Sequence, residues 1–141
     1  MKILVPVDGS PYTKRMLAYL AAHDEWMSDA HDYTVLHGVP GVPPRAASVI
    51  DKETLKSYYD EEAEKVFKPI RAFLSKKPGL KVTYVGKTGH AADVIAATAQ
   101  KGDFDLIVMG SHGHGSLTNL VMGSVATKVM AHCKTPVLLV R

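Results

Sequence analysis

The chain has 141 residues, 46% of them apolar and 22% charged, the balance of a soluble globular protein of one-domain size. Its net charge of +3 comes without a dense Lys/Arg run, which argues against nucleic acid as a partner, and no apolar run approaches membrane-spanning length. The single cysteine, Cys133, excludes an intramolecular disulfide; the first apolar run stops at Asp8, too soon for a signal-peptide core, so the cytoplasm is the expected compartment.

Residues 2–7 read as a strand that ends at Asp8-Gly9-Ser10-Pro11. Residues 10–26 then show helical periodicity, with Met16, Leu17, Leu20 and Ala21 as the apolar stripe. Ser10 before Pro11 suits a helix start, because proline is tolerated in the first turn. Asp8 has two readings. Its carboxylate can cap that helix, or it can accept hydrogen bonds from a ribose or a base amine. A second strand spans residues 33–38. The stretch Pro40-Gly41-Val42-Pro43-Pro44 through Ser48 is too proline-rich for a helix or a central strand, which leaves a surface connector or a flap. Residues 51–76 form a long helix marked by Leu55, Tyr58, Tyr59, Ala63, Val66, Phe67, Ile70 and Leu74. Within it, Asp60-Glu61-Glu62-Ala63-Glu64-Lys65 reads as a solvated face.

A third strand spans residues 81–86, and Gly86 to Gly89 reads as a turn into a helix over 91–100. Residues 106–110 form a fourth strand, about 120–133 a helix, and 137–140 a fifth strand. Strands alternating with helices predict an α/β fold: a five-stranded parallel, doubly wound open sheet with helices on both faces and right-handed crossovers. Such sheets bind ligands beyond the carboxyl ends of their strands. Asp8, Gly38 and Gly110 all fall on that edge.

The strongest chemical signal lies after the fourth strand. Gly110, Gly113, Gly123 and Ser124 stand in the spacing Gly-x2-Gly-x9-Gly-Ser, between a buried strand and a helix start. Glycines there let the backbone turn and approach a ligand, and the helix start offers free N–H groups and a hydroxyl to phosphate oxygens. The alternative is a glycine-rich crossover without a ligand. Other motifs fail their tests. Gly86-Lys87-Thr88 lacks the preceding glycine of a phosphate loop, since Lys81 stands there. No dinucleotide fingerprint follows the first strand. Seven histidines, His112 and His114 among them, form no metal-ligand spacing. Ser111, Ser116 and Ser124 lack a nucleophile elbow, and Asp105 lies at the far end of its strand.

These segments together resemble the universal stress protein family: Ile3-Leu4-Val5-Pro6-Val7-Asp8-Gly9-Ser10, Val35-Leu36-His37-Gly38-Val39, Asp105 through Gly113, Gly123-Ser124-Val125-Ala126 and Thr135-Pro136-Val137-Leu138-Leu139-Val140. The resemblance covers nearly the whole of residues 1–141 and implies one such domain with a Rossmann-like sheet. The branch carrying the glycine spacing binds ATP, with Mg2+ or Mn2+ as the accompanying cation. By resemblance, Asp8 contacts the adenosine half, and Pro6 and Val7 line its pocket. Gly38 meets the adenine edge through its backbone, although the family often carries valine there. Met109 and Gly110 form the base and ribose wall. Gly113, Gly123, Ser124 and Val125 form the phosphate set, with His114 in the loop between them. The resemblance also implies a homodimer through the last strand, from Pro136 to Arg141.

The expected function is a nucleotide-responsive regulatory module. A slow ATPase or phosphotransferase is the alternative, with Lys87, His112 and the loop hydroxyls as its only candidate groups and no convincing base. An interaction protein with a vestigial, AMP-binding or cyclic-AMP-binding pocket is the third reading.

Overall fold

Strands with apolar residues at consecutive positions need cover on both faces, and the chain supplies it. The computed structural model describes residues 1–113 and 122–141. In chain order the elements are β1 (Lys2–Pro6), α1 (Pro11–Ala21), β2 (Asp32–Val39), α2 (Pro44–Ala47), α3 (Lys52–Leu74), β3 (Lys81–Thr88), α4 (Ala91–Lys101), β4 (Leu106–Gly110), α5 (Ser124–His132) and β5 (Val137–Val140). The five strands form one parallel sheet in the order β3-β2-β1-β4-β5. The strand order reverses beside β1, so the switch point lies between β1 and β4.

Alternation divides each strand between two cores. Ile3, Val5, Val35 and Val108 pack with Met16 and Leu20 of α1 and Phe67 and Ile70 of α3. Leu4, Leu36, Ile107 and Met109 pack on the opposite face with Ile95 of α4 and Val129 of α5. Registers differ along the sheet. β2 and β3 pair from Asp32↔Lys81 to Val39↔Thr88, whereas β1 and β4 register only at Ile3↔Leu106 and Leu4↔Ile107.

The helix starts follow local chemistry. Ser10 caps α1 by accepting from the Thr13 N–H at 3.4 Å, with Pro11 in the first turn. Asp51 caps α3 by accepting from the Thr54 N–H at 2.7 Å. Pro69 lies inside α3 and has no N–H to give the Lys65 carbonyl four residues earlier.

Four expectations are corrected. The first helix ends at Ala21 rather than at residue 26, because the chain must reverse before Asp32 pairs beside Lys2; Trp26 and Met27 still pack on the core from the turn. A helical turn, α2, interrupts the proline-rich connector, with Pro44 at its tolerated first position. Gly86, Lys87 and Thr88 continue β3, held by pairing with His37, Gly38 and Val39; only Gly89, at φ 141°, makes the turn. α5 opens at Ser124; the earlier part of that predicted helix, Leu120 and Val121, lies outside the described residues, as does His114. No described helix is long and apolar enough to cross a membrane.

Candidate functional site

The carboxyl ends of β1, β2 and β4 and the start of α5 surround a cleft of about 480 Å³. Pro6, Val7, Asp8, Gly38, Met109, Gly110, Gly113, Gly123, Ser124 and Val125 all line it. Every site residue expected from sequence that falls among the described residues is therefore at one place.

The β2 end presents an open backbone edge. The Val7 N–H donates to the Leu36 carbonyl at 2.8 Å, so residue 36 faces β1. The Val39 carbonyl faces the other way and accepts from the Gly89 N–H at 2.9 Å. In a parallel strand the direction alternates, so the Gly38 N–H and C=O both point toward β1. The β1–β2 ladder stops at Pro6↔Leu36. Gly38 thus offers one donor and one acceptor side by side, with no partner among the described residues. A Cβ at Gly38 would stand 3.3 Å from the Ala91 Cα, so a side chain there would need the start of α4 to give by a few tenths of an ångström.

Asp8 lines the cleft without capping α1. The helix N–H is capped by Ser10, not by Asp8. Asp8 Oδ1 accepts from the Ser10 N–H and from the Thr13 hydroxyl, each at 2.9 Å, so the carboxylate is braced against α1 from outside the cap. Its Oδ2 lies against Gly113, too close for a Cβ at that position.

The other two glycines of the spacing answer to the protein's own backbone as well. A Cβ on Gly110 would stand 2.9 Å from Tyr12 Cβ, and one on Gly123 would stand 2.9 Å from the Ser111 carbonyl oxygen. Beyond Gly123, the first-turn N–H groups of Ser124, Val125 and Ala126 precede the first helical bond and have no partner among the described residues; all three residues line the cleft. The helix dipole adds partial positive charge there. Ser111 is buried, and its hydroxyl lies 2.9 Å from His112 Nδ1, with the His112 ring 5.0 Å from that of Tyr12.

Among the lining residues not anticipated as site residues are three with ionisable side chains. His37 reads in sequence as an ordinary fold residue, yet it lines the cleft and lies 2.8 Å from the Val7 carbonyl. Glu62 and Lys65, read as a solvated face, stand on the cleft rim as an ion pair at 2.7 Å. The Glu62 hydrogen bond holds the Lys65 ammonium above the ordinary lysine range. Their signal was Val66 beside them, an apolar stripe residue that turns this stretch of α3 toward the sheet.

Other groups stay apart. The Lys87 amine donates to the Thr98 hydroxyl at 3.2 Å on α4, and the residue borders a separate hollow of about 290 Å³ between α3 and β3. The Asp105 carboxylate accepts from the Lys2 N–H at 2.8 Å at the opposite sheet edge. Cys133 is buried at the end of α5. Among the described residues, no three His, Cys, Asp or Glu side chains come together to hold a metal.

A doubly wound parallel sheet with a cleft at its switch point defines an α/β protein of the Rossmann-like class. The sequence profile of the universal stress protein family matches residues 1–141, and the chain belongs to that family. A universal stress protein of Thermus aquaticus is 34% identical over 141 residues, covering 99% of this chain and 97% of the relative. The chain spans from 42% to 97% of the length of the curated relatives it matches. The solved structure of MJ0577, a universal stress protein of Methanocaldococcus jannaschii, superposes with a TM-score of 0.77 at 29% identity, covering 99% of this chain and 94% of that one. The universal stress protein from Archaeoglobus fulgidus, solved in complex with dAMP, superposes at 0.68 with 22% identity, covering 100% and 98%.

Proposed function

We propose that the cleft binds an adenine nucleotide, ATP, and that residues 1–141 act as one cytoplasmic, nucleotide-responsive regulatory domain. The observation that carries this reading is a pair of complementary ends in one cleft: the Gly38 donor–acceptor edge and the first-turn N–H groups of α5. Adenine has an amine donor beside a ring-nitrogen acceptor, which matches an N–H and C=O of one residue. Guanine inverts that order and meets Gly38 with donor against donor. Phosphate oxygens suit the α5 start, where free N–H groups and the dipole act together. The bound nucleotide of the Archaeoglobus fulgidus protein supports the same chemistry by family relation.

A divalent cation, Mg2+ or Mn2+, would enter with the phosphates; Asp8 and Glu62 are the carboxylates that line the cleft. Binding favours the ligand-competent conformation by mass action, and a partner reads that state. Turnover has less support. The Ser111 hydroxyl is buried and engaged with His112, and Lys87 borders a separate hollow.

We also propose a homodimer through β5. This strand is a sheet edge, and an apolar edge needs cover.

The test is to denature freshly purified protein and identify the released nucleotide by chromatography and mass spectrometry. ATP near one per chain is expected. An empty cleft that also fails to bind ATP on titration would overturn the reading.

A further inference from the structure

β1 and β2 pair in register up to Pro6↔Leu36. The next bond of a parallel ladder would run from the Gly38 N–H to the Val7 carbonyl. That bond is not made. The Val7 carbonyl instead faces His37 Nδ1 at 2.8 Å. A carbonyl oxygen only accepts, so Nδ1 carries the proton and donates. The imidazole is held in this pose by Phe67, edge to face at 83° with ring centroids 6.4 Å apart, and Phe67 is itself 4% exposed.

We propose that His37 is a positioning residue: its imidazole occupies the Val7 carbonyl, stops the β1–β2 ladder one rung early and so keeps the Gly38 N–H available to a ligand. Without that donor, the Val7 carbonyl loses its observed partner, and the Gly38 N–H is the donor that the parallel ladder brings to it. Pairing is then the favoured outcome, and glycine has the backbone freedom to reach it. The strand ends close and the cleft loses the donor of its base edge. The inference rests on the adenine-nucleotide reading for the identity of the ligand, but the clasp itself is a property of the free protein.

Two variants separate donor from ring. His37→Phe keeps an aromatic ring against Phe67 and has no N–H. His37→Asn loses the ring, but its side-chain amide nitrogen lies the same number of bonds from Cα as His Nδ1. The first readout is hydrogen exchange at the Gly38 amide in ligand-free protein. His37→Phe should slow it by about tenfold or more, and His37→Asn should leave it near the wild-type rate. The second readout is affinity for ATP and for GTP. His37→Phe should lose about tenfold for ATP and little for GTP, while His37→Asn stays within about threefold of wild type for both. Unchanged Gly38 exchange in a folded His37→Phe chain would overturn the proposal, and so would an Asn variant that behaves like Phe. Wild-type protein that binds neither nucleotide, yet shows the expected exchange pattern, would overturn the nucleotide reading and uphold the clasp.

Discussion

The Gly123 N–H donates to the Ser111 carbonyl at 2.7 Å, which ties the two ends of the glycine-spaced loop together at the mouth of the cleft. The Gly123 carbonyl in turn accepts from the Thr127 N–H at 3.1 Å and its hydroxyl at 2.9 Å, so one residue joins the end of β4 to the first turn of α5.

Gly123→Ala tests that junction. The backbone, at φ −72° and ψ 163°, accepts alanine, but the added methyl would stand 2.9 Å from the Ser111 oxygen and 3.0 Å from His112 Cα. Backbone must move, at a cost of about 1–3 kcal/mol, and the first-turn N–H groups of α5 move with it. Thermal unfolding should shift downward and ATP affinity should fall. A variant with unchanged melting temperature and affinity would show that Gly123 is not constrained by this contact.

Tyr33 offers an opposite case. Its hydroxyl is buried with no hydrogen-bond partner among the described residues, and burial pushes its pKa up to about 12. A raised tyrosine value means that the unfolded chain ionises first as pH rises. The associated stability is complete below pH 10.0 and is lost between there and about 12. Tyr33→Phe removes an orphaned polar group. It should stabilise the fold by about 1–3 kcal/mol at neutral pH and flatten the alkaline loss. Urea midpoints measured at pH 7 and across the alkaline range decide it.

Acid acts elsewhere, on Asp51. The Thr54 N–H and hydroxyl hold this carboxyl below its ordinary 3.8. A lowered value in the folded state gives stability that is present above 3.8 and is lost as pH falls through the folded value. Asp51→Asn keeps a capping acceptor without the charge. The gap in denaturation midpoint between the two chains should therefore narrow below about pH 4. A gap that stays constant from pH 6 to pH 3 would refute the charged cap.

The proposed dimer has a selective probe. The Val140 carbonyl accepts from the Ser111 N–H and the Pro136 carbonyl from the Ile107 N–H, each at 2.9 Å, so the even-numbered residues of β5 face β4. By alternation Val137 and Leu139 turn their backbone groups outward. Leu139→Pro removes an outward donor and spares the bonds to β4. Light scattering should report a monomer of near-native stability. A persistent dimer would place the interface elsewhere.

Much of this arrangement was legible because β/α alternation forces every strand end to one edge. Once Asp8, Gly38 and Gly110 were placed at strand ends, their meeting followed. The rest depends on distances that sequence spacing does not carry. Nothing in the pattern separates a glycine needed by a ligand from one needed by Tyr12 or Ser111. His37 was passed over because its action is on the Val7 carbonyl, 30 residues away. Glu62 and Lys65 look solvated by composition, and only the packing of α3 on the sheet, with Val66 beside them, brings them to the rim. The first turn α2 was missed because proline content was weighed without its tolerance for the first helical position.

The scant register between β1 and β4 has a mechanical consequence. Elsewhere the sheet is zipped along most of each strand; here the strands register at Ile3↔Leu106 and Leu4↔Ile107, α1 packs across the seam with Val108 and Val140, and the cleft opens just above. On the proposed reading, a ligand held by Gly38 on one side and the start of α5 on the other would add a rivet across the seam.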